Sequence, residues 1–316
     1  MEDGPKDLKN PILTNAIKAF STLRIRLGGS LQDQVIYKVG EKSPLCHRFI
    51  KLKNATKGLF GFSSGCLRMS RWDKLNEVLS KFGVVITFGL NALYGRMKAS
   101  DGLYIGDWDS SNTREFINYT ITRKYKIDSW EFGNELSGRG IGARVDADQY
   151  GKDLVTLKVL IDELYQNSSS KPKILAPGGF YEKAWYDKML QTSGSGVVDG
   201  VTHHIYNLGG GDDQGIVRKI LDPFYLDYIV QTFKNVALTI KSFGPWSSAW
   251  VGEAGGSFNS GAKDVSNTFV NSLWYLDQLG IASVFGHKVY CRQALIGGNY
   301  ALLDTTTFEP NPDYYR

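Results

Sequence analysis

The sequence predicts an α/β fold whose parallel sheet closes into a barrel. Three observations predict it: apolar strand-like runs alternate with amphipathic helical stretches, the runs are too apolar for a sheet with one wet face, and polar residues recur where the runs end. An open doubly wound sheet gathers its ligand groups at one switch point, whereas a barrel collects them from many strand ends. Ser30, Asn91, Asn134, Glu135, His204, Tyr206, Glu253 and Gln293 all fall at or just beyond such ends. No strand is followed by a dinucleotide-type glycine fingerprint, which removes the main support for a nucleotide-binding sheet.

The elements follow in order. Asn10-Pro11 with Ile12, Leu13, Ala16, Ile17 and Phe20 reads as a capped helix with proline at its first position. Leu23 to Gly29 is a short strand. Trp72, Leu75, Val78, Leu79 and Phe82 form a helix stopped by Gly83, leading into the strand Val84 to Leu90. Asn112 and Glu115 suit a capping box opening the next helix, before the strand Ile127 to Gly133. Tyr150, Leu154, Leu157, Ile161 and Leu164 mark the clearest amphipathic helix, then strands Lys173 to Gly179 and Val197 to Tyr206. Ile229 to Phe243 is helical, Ala249 to Glu253 extended, Val265 to Leu279 helical up to Gly280, and Lys288 to Ile296 extended. That gives seven strands.

The 316 residues, 42% hydrophobic, carry a net charge of +5 from 37 basic and 32 acidic side chains without a long run of like charge. Nucleic acid as a partner is disfavoured, because it needs a concentrated basic stripe; a small anionic ligand fits better. Aromatic residues at 13% suit a large core or a sugar cleft lined with flat rings. No run is long enough for a transmembrane segment and the N-terminus lacks a signal peptide's apolar region, which leaves peripheral membrane association open. Sequons at Asn54, Asn118 and Asn167 point the other way, toward export. The spacing leaves a Cys46–Cys66 disulfide open, with Cys291 in a strand.

Two glutamates carry the candidate chemistry. Glu135 follows an aromatic strand ending in a glycine turn, so its carboxyl should project over the barrel mouth, where a buried wall raises its pKa and suits it as a general acid. Asn134 beside it can donate to a sugar hydroxyl. Glu253 ends another strand, and Gly255 and Gly256 let the backbone turn away; it would be the ionised nucleophile. The bland reading is that Asn-Glu is a common dipeptide, and the second copy, Asn76-Glu77, is expected to be a solvated pair on a helix. Strand-end placement separates the two. His203 and His204 point to opposite faces of a strand, so at most one faces the cleft; this argues against a metal, and no Cys/His cluster has metal-ligand spacing. Tyr206 shares the face of His204 and is placed to hydrogen-bond the nucleophile.

The runs Leu23 to Asp33, Phe88 to Leu93, Asp128 to Leu136, Thr202 to Tyr206, Trp250 to Gly256 and Tyr290 to Tyr300 resemble, in order, the signature segments of plant heparanase-like proteins in glycoside hydrolase family 79. The resemblance implies a (β/α)8 TIM barrel with a C-terminal β-sandwich, and a retaining β-glucuronidase acting on β-linked glucuronic acid in glycans or glucuronide conjugates without metal or organic cofactor. It implies Glu135 as acid/base, Glu253 as nucleophile, and Ser30, Asn134, His204, Tyr206 and Gln293 as cleft residues. Gly298, Asn299 and Tyr300 match the loop that receives the uronate carboxylate, where neutral donors can select an anion. It also implies secretion, to a cell wall, vacuole or lysosome.

Departures accompany the match. Residues 1 to 9 are polar and cannot supply the family's first barrel strand, and with it goes an acidic cleft residue. The chain stops at Arg316, where the last barrel helix should begin, and Val284-Phe-Gly-His287 departs from the family's polar loop. The expectation is a single truncated glycosidase barrel domain over 1–316, not competent as an enzyme on its own; the alternative is a catalytically silent carbohydrate-binding or interaction fragment.

Overall fold

The computed structural model describes residues 8–20, 22–40, 45–52 and 59–315. Seven parallel strands form one sheet in chain order: β1 (Arg24–Leu27), β2 (Val85–Leu90), β3 (Ser129–Phe132), β4 (Lys173–Gly179), β5 (Gly200–Ile205), β6 (Ser248–Ala254) and β7 (Val289–Arg292). The sheet curls into a nearly closed barrel. Its one seam lies between β7 and β1, which come together without a hydrogen-bonded ladder among the described residues.

The helices are α1 (Pro11–Lys18), α2 (Met69–Lys81), α3 (Ser111–Thr122), α4 (Ala147–Leu164), α5 (Lys183–Ser193), α6 (Val230–Phe243) and α7 (Asn271–Val284), with two short helical turns at Ile216–Ile220 and Pro223–Asp227. Asn10 caps α1 through bonds from Ile12 N and Leu13 N, as its sequence predicts. Asp146 caps α4 in the same way.

Alternation along the strands sorts the core. Phe88, Trp130 and Phe132 face outward against the helices: Trp130 sits edge-on to both Phe88 and Phe116, and Trp72 closes the cluster. Several inward positions are polar. Arg24 reaches Thr87 and Asp128 and lies over the Trp250 ring, while Thr87 and Ser129 bond each other at 2.7 Å. An interior so lined is held by directed bonds, which makes the strand ends stiff supports for a site.

Three readings of the sequence are corrected and one element is added. Asn112 does not cap α3, whose N-cap is Ser110; its buried amide instead bonds both backbone groups of Tyr37, tying α3 to the small sheet of Val35–Lys38 and Gly65–Arg68. The last long helix begins at Asn271 and runs through Gly280 to Val284, because buried Trp274, Gln278, Ile281 and Ala282 keep it packed beyond the glycine. Asn76 is buried, bonding the Trp72 carbonyl, while Glu77 is exposed and pairs with Lys81. Helix α5, where Trp185, Tyr186, Met189 and Leu190 are buried, carries no strong sequence cap and goes unread in the sequence.

Cys46 and Cys66 are joined, with Cα atoms 5.5 Å apart. Of the sequons, Asn118 and Asn167 are exposed, and Asn54 lies outside the described residues. No helix among the described residues is long and apolar enough to cross a membrane.

Candidate active site

The C-terminal ends of β3 and β6 bring the two glutamates together. After β3 the chain turns through Gly133 (φ 70°) and Asn134 to Glu135, whose own φ is 55°, a conformation rare outside glycine. Three backbone bonds hold the turn: Gly133 N to Leu90 O at 3.0 Å, Glu135 N to Gly178 O at 2.7 Å, and Ile141 N to Glu135 O at 3.1 Å. The result is a buried carboxyl pointing into the mouth, where Glu135 Oε1 and His204 Nδ1 are hydrogen-bonded at 2.9 Å.

Glu253 reaches the same space through an irregularity. On β6, Trp250 and Gly252 face inward, so strict alternation would turn Glu253 outward. The register against β5 shifts between Val251 and Glu253, placing Glu253 opposite His204. Such a bulge re-aims a side chain. Gly252 fits tightly there, since a Cβ would come within 3.1 Å of Glu131 Oε1 and 3.2 Å of Thr202.

Glu253 is held from two sides. Tyr206 donates its hydroxyl to Oε1 at 2.6 Å, and Arg26 Nη1 donates to Oε2 at 2.8 Å. Burial pushes the Glu253 pKa up, but His204, the Arg26 charge and the two hydrogen bonds outweigh it and hold the carboxyl below its ordinary value. Burial and the Glu253 charge drive the Tyr206 hydroxyl far above the usual phenol range, so it remains a donor. Burial and the same charge push Tyr300 up to about 12.

Arg26 organises the floor. Its Nε meets Glu131, Nη1 meets Glu253, and Nη2 donates to Asn134 Oδ1 at 2.9 Å. Sequence reading missed both Arg26 and Glu131, although two arginines two apart in an apolar strand, Arg24 and Arg26, signal an inward charged face needing partners. Phe180, also unread, is exposed at the end of β4 with its ring near both His204 and Tyr206, a flat wall for the cleft.

The other predicted residues divide. His204 faces the mouth, and His203 points the opposite way to bond His287 at 2.8 Å. Tyr300 is buried with its ring against Gly255 and Gly261, and the Tyr206 ring borders Gly255 as well. Asn299 is exposed and its amide donates to Gly261 O, while Gly298 packs beside Tyr300. Gln293 sits at the end of β7 with its backbone N–H on Ala254 O and its amide oxygen unmatched by a protein partner. Ser30 is exposed beyond β1, and among the described residues no hydrogen bond joins it to either glutamate.

Glu135, His204 and Glu253 offer one ligand atom each within 4.8 Å of one another, enough by count for a metal ion. Glu135 Oε1 and His204 Nδ1 are bound to each other, both Glu253 oxygens accept hydrogen bonds, and the Arg26 guanidinium on Glu253 repels a second cation there.

Residues 5–280 match the Glycosyl hydrolase family 79, N-terminal domain. The chain is 59% identical over 309 residues to heparanase-like protein 2 of Arabidopsis thaliana, covering 98% of this chain and 57% of that protein. It is 38% identical over 323 residues to baicalin-beta-D-glucuronidase of Scutellaria baicalensis, covering 98% and 60%. The chain thus spans a little over half the length of these curated relatives. Its fold is shared with the 4-O-alpha-L-rhamnosyl-beta-D-glucuronidase from Fusarium oxysporum, at a TM-score of 0.66 and 17% identity over 96% of this chain and 62% of that one. With a parallel barrel, paired glutamates at its mouth and these relatives, the chain belongs to glycosyl hydrolase family 79.

Proposed function

We propose that this chain carries the catalytic glutamates of a retaining β-glucuronidase acting on glucuronic-acid-containing glycans or glucuronide conjugates. The observation that carries the reading is the closeness of the two carboxyls, with an oxygen of each within 4.8 Å of the other. Retaining glycosidases hold their carboxyls about 5 to 5.5 Å apart, whereas inverting ones leave about 6.5 to 9.5 Å for a water.

Glu253, kept ionised, attacks the anomeric carbon while Glu135 gives its proton to the departing oxygen, so the glycosidic C–O bond breaks as the ester to Glu253 forms. Water then attacks the same carbon, returning a proton to Glu135 and releasing the Glu253 carboxylate. Arg26 and Tyr206 stabilise that carboxylate before attack and as it leaves. Asn134 is positioned for a sugar hydroxyl. Tyr300, with Gly298 and Asn299, is the proposed receiver of the uronate carboxylate; the proximity of its ring to Tyr206 and Glu253 supports the phenol in that role.

The names of the family relatives support the substrate class. The test is hydrolysis of an aryl β-glucuronide against the matching β-glucoside, with proton NMR of the first-formed sugar. Release of the β-anomer of glucuronic acid is expected, and an initial α-product would exclude retention. A second reading, a silent carbohydrate-binding fragment, is favoured by the open seam between β7 and β1; folded protein that binds glucuronide without turnover would support it.

A further inference from the structure

Asp33 is buried beneath the mouth with no part in the mechanism above. It sits in the turn Gln32–Gln34 after β1, and all three side chains of that turn are buried and hydrogen-bonded to backbone groups. Gln32 fits between Gly28 and Gly89, donating to Leu90 O and accepting from Gly29 N. Gln34 exchanges two bonds with the Leu59 backbone. From this fixed base, Asp33 Oδ1 accepts from Ala92 N at 2.8 Å, just past β2, and Oδ2 accepts from Asn134 N at 2.8 Å, just before Glu135.

Glu135 stands at φ 55°. A non-glycine residue in that region is strained and stays there only when its surroundings over-determine the geometry. The peptides on either side of Asn134 are anchored separately: Asn134 N by Asp33, and Glu135 N by Gly178 O. Releasing the first anchor frees the turn to relax and swing the carboxyl away.

We infer that Asp33 is a positioning residue for the general acid, tying the Asn134 peptide to the end of β2 and holding the Glu135 carboxyl on the leaving-group oxygen. The inference rests on Glu135 being that acid. An ionised carboxylate serves both N–H groups, one on each oxygen, whereas a protonated one offers a single good acceptor. Burial raises the Asp33 pKa to about 7, against the opposing pull of those two N–H bonds. The side chain borders a cavity of about 350 Å³ shared with Asn91, Tyr94 and Tyr104, which gives its proton a way in and out.

The test is Asp33→Asn in the full native chain, which keeps the shape but turns an NH2 toward one backbone N–H. For an alkyl β-glucuronide, kcat/KM is expected to fall about tenfold or more beyond any loss on a dinitrophenyl β-glucuronide, which needs no protonation. Equal losses on both would overturn the inference. Glu135→Gln is run beside it: a split there without one in Asp33→Asn sinks the positioning role alone, and no split in either sinks the acid assignment too. Should Asp33→Asn not fold, the amide resonances of Ala92 and Asn134 in the unaltered protein must shift together with the titration of the Asp33 carboxyl carbon; amides indifferent to that step would overturn it.

Discussion

Arg26 and Glu253 are joined at 2.8 Å across the open side of the barrel, from the first strand of the sheet to the sixth. The bond links electrostatics at the proposed nucleophile to the fold, because the same guanidinium holds buried Glu131 on the third strand.

Arg26→Met is therefore expected to act twice. It leaves Glu131 and Glu253 without their cation, and breaking a buried pair costs about 3 to 5 kcal/mol, visible as a lower Tm. It also removes a positive charge that lowers the Glu253 pKa, so the low-pH limb of the kcat/KM profile should move to higher pH. A profile that keeps its acid limb in place would show that Arg26 does not tune the nucleophile.

Glu253→Gln should abolish turnover on every glucuronide by removing the attacking carboxylate. Glu135→Gln should spare kcat/KM on substrates with good leaving groups and lower it on poor ones, while kcat falls on both because the same residue serves as base in the second step. Equal loss of kcat/KM on both substrate kinds for Glu135→Gln would count against its acid role.

Much of this was legible from periodicity and strand-end placement. The apolar runs from Leu23 to Ile296 gave seven strands because buried parallel strands must be apolar outside and cannot hide that fact. Glu135 and Glu253 stood out because a charge ending such a run has few structural uses. What stayed hidden depends on partners distant in sequence. Asn112 looked like a cap until Tyr37 claimed its amide, and Asn76 looked solvated until Trp72 covered it. Arg26 needs Glu131, 105 positions away, to make sense of its burial. The bulge that turns Glu253 inward is a property of register with β5, which no single strand reveals.

Tyr300→Phe should weaken glucuronide turnover far more than any residual glucoside turnover, because the proposed role of the phenol is to receive oxygens that only the uronate carries. A lost hydrogen bond to a charged group costs about 1.5 to 3 kcal/mol, roughly tenfold to a hundredfold in kcat/KM. Proportional loss on both sugars would show that Tyr300 does not read the carboxylate.

The last prediction concerns acid stability and the pair behind the barrel. His203 and His287 bond through their Nε2 atoms at 2.8 Å, each ring edge-on to Phe233 of α6. Burial pushes both pKa values down, His203 well below the ordinary value and His287 to about 4. Unfolded, both would take up protons near pH 6.5. Between that pH and about 4 the unfolded chain therefore binds more protons than the folded one, so stability is full above pH 6.5 and falls as the pH drops. His287→Gln keeps a hydrogen-bonding side chain opposite His203 but cannot take the proton. Its Tm should sit close to the parent's at pH 7.5 and fall less between pH 6.5 and 4.5, a difference on the order of 1 to 3 kcal/mol. Parallel Tm curves for the two proteins over that range would show that the pair does not set the acid limit of the fold.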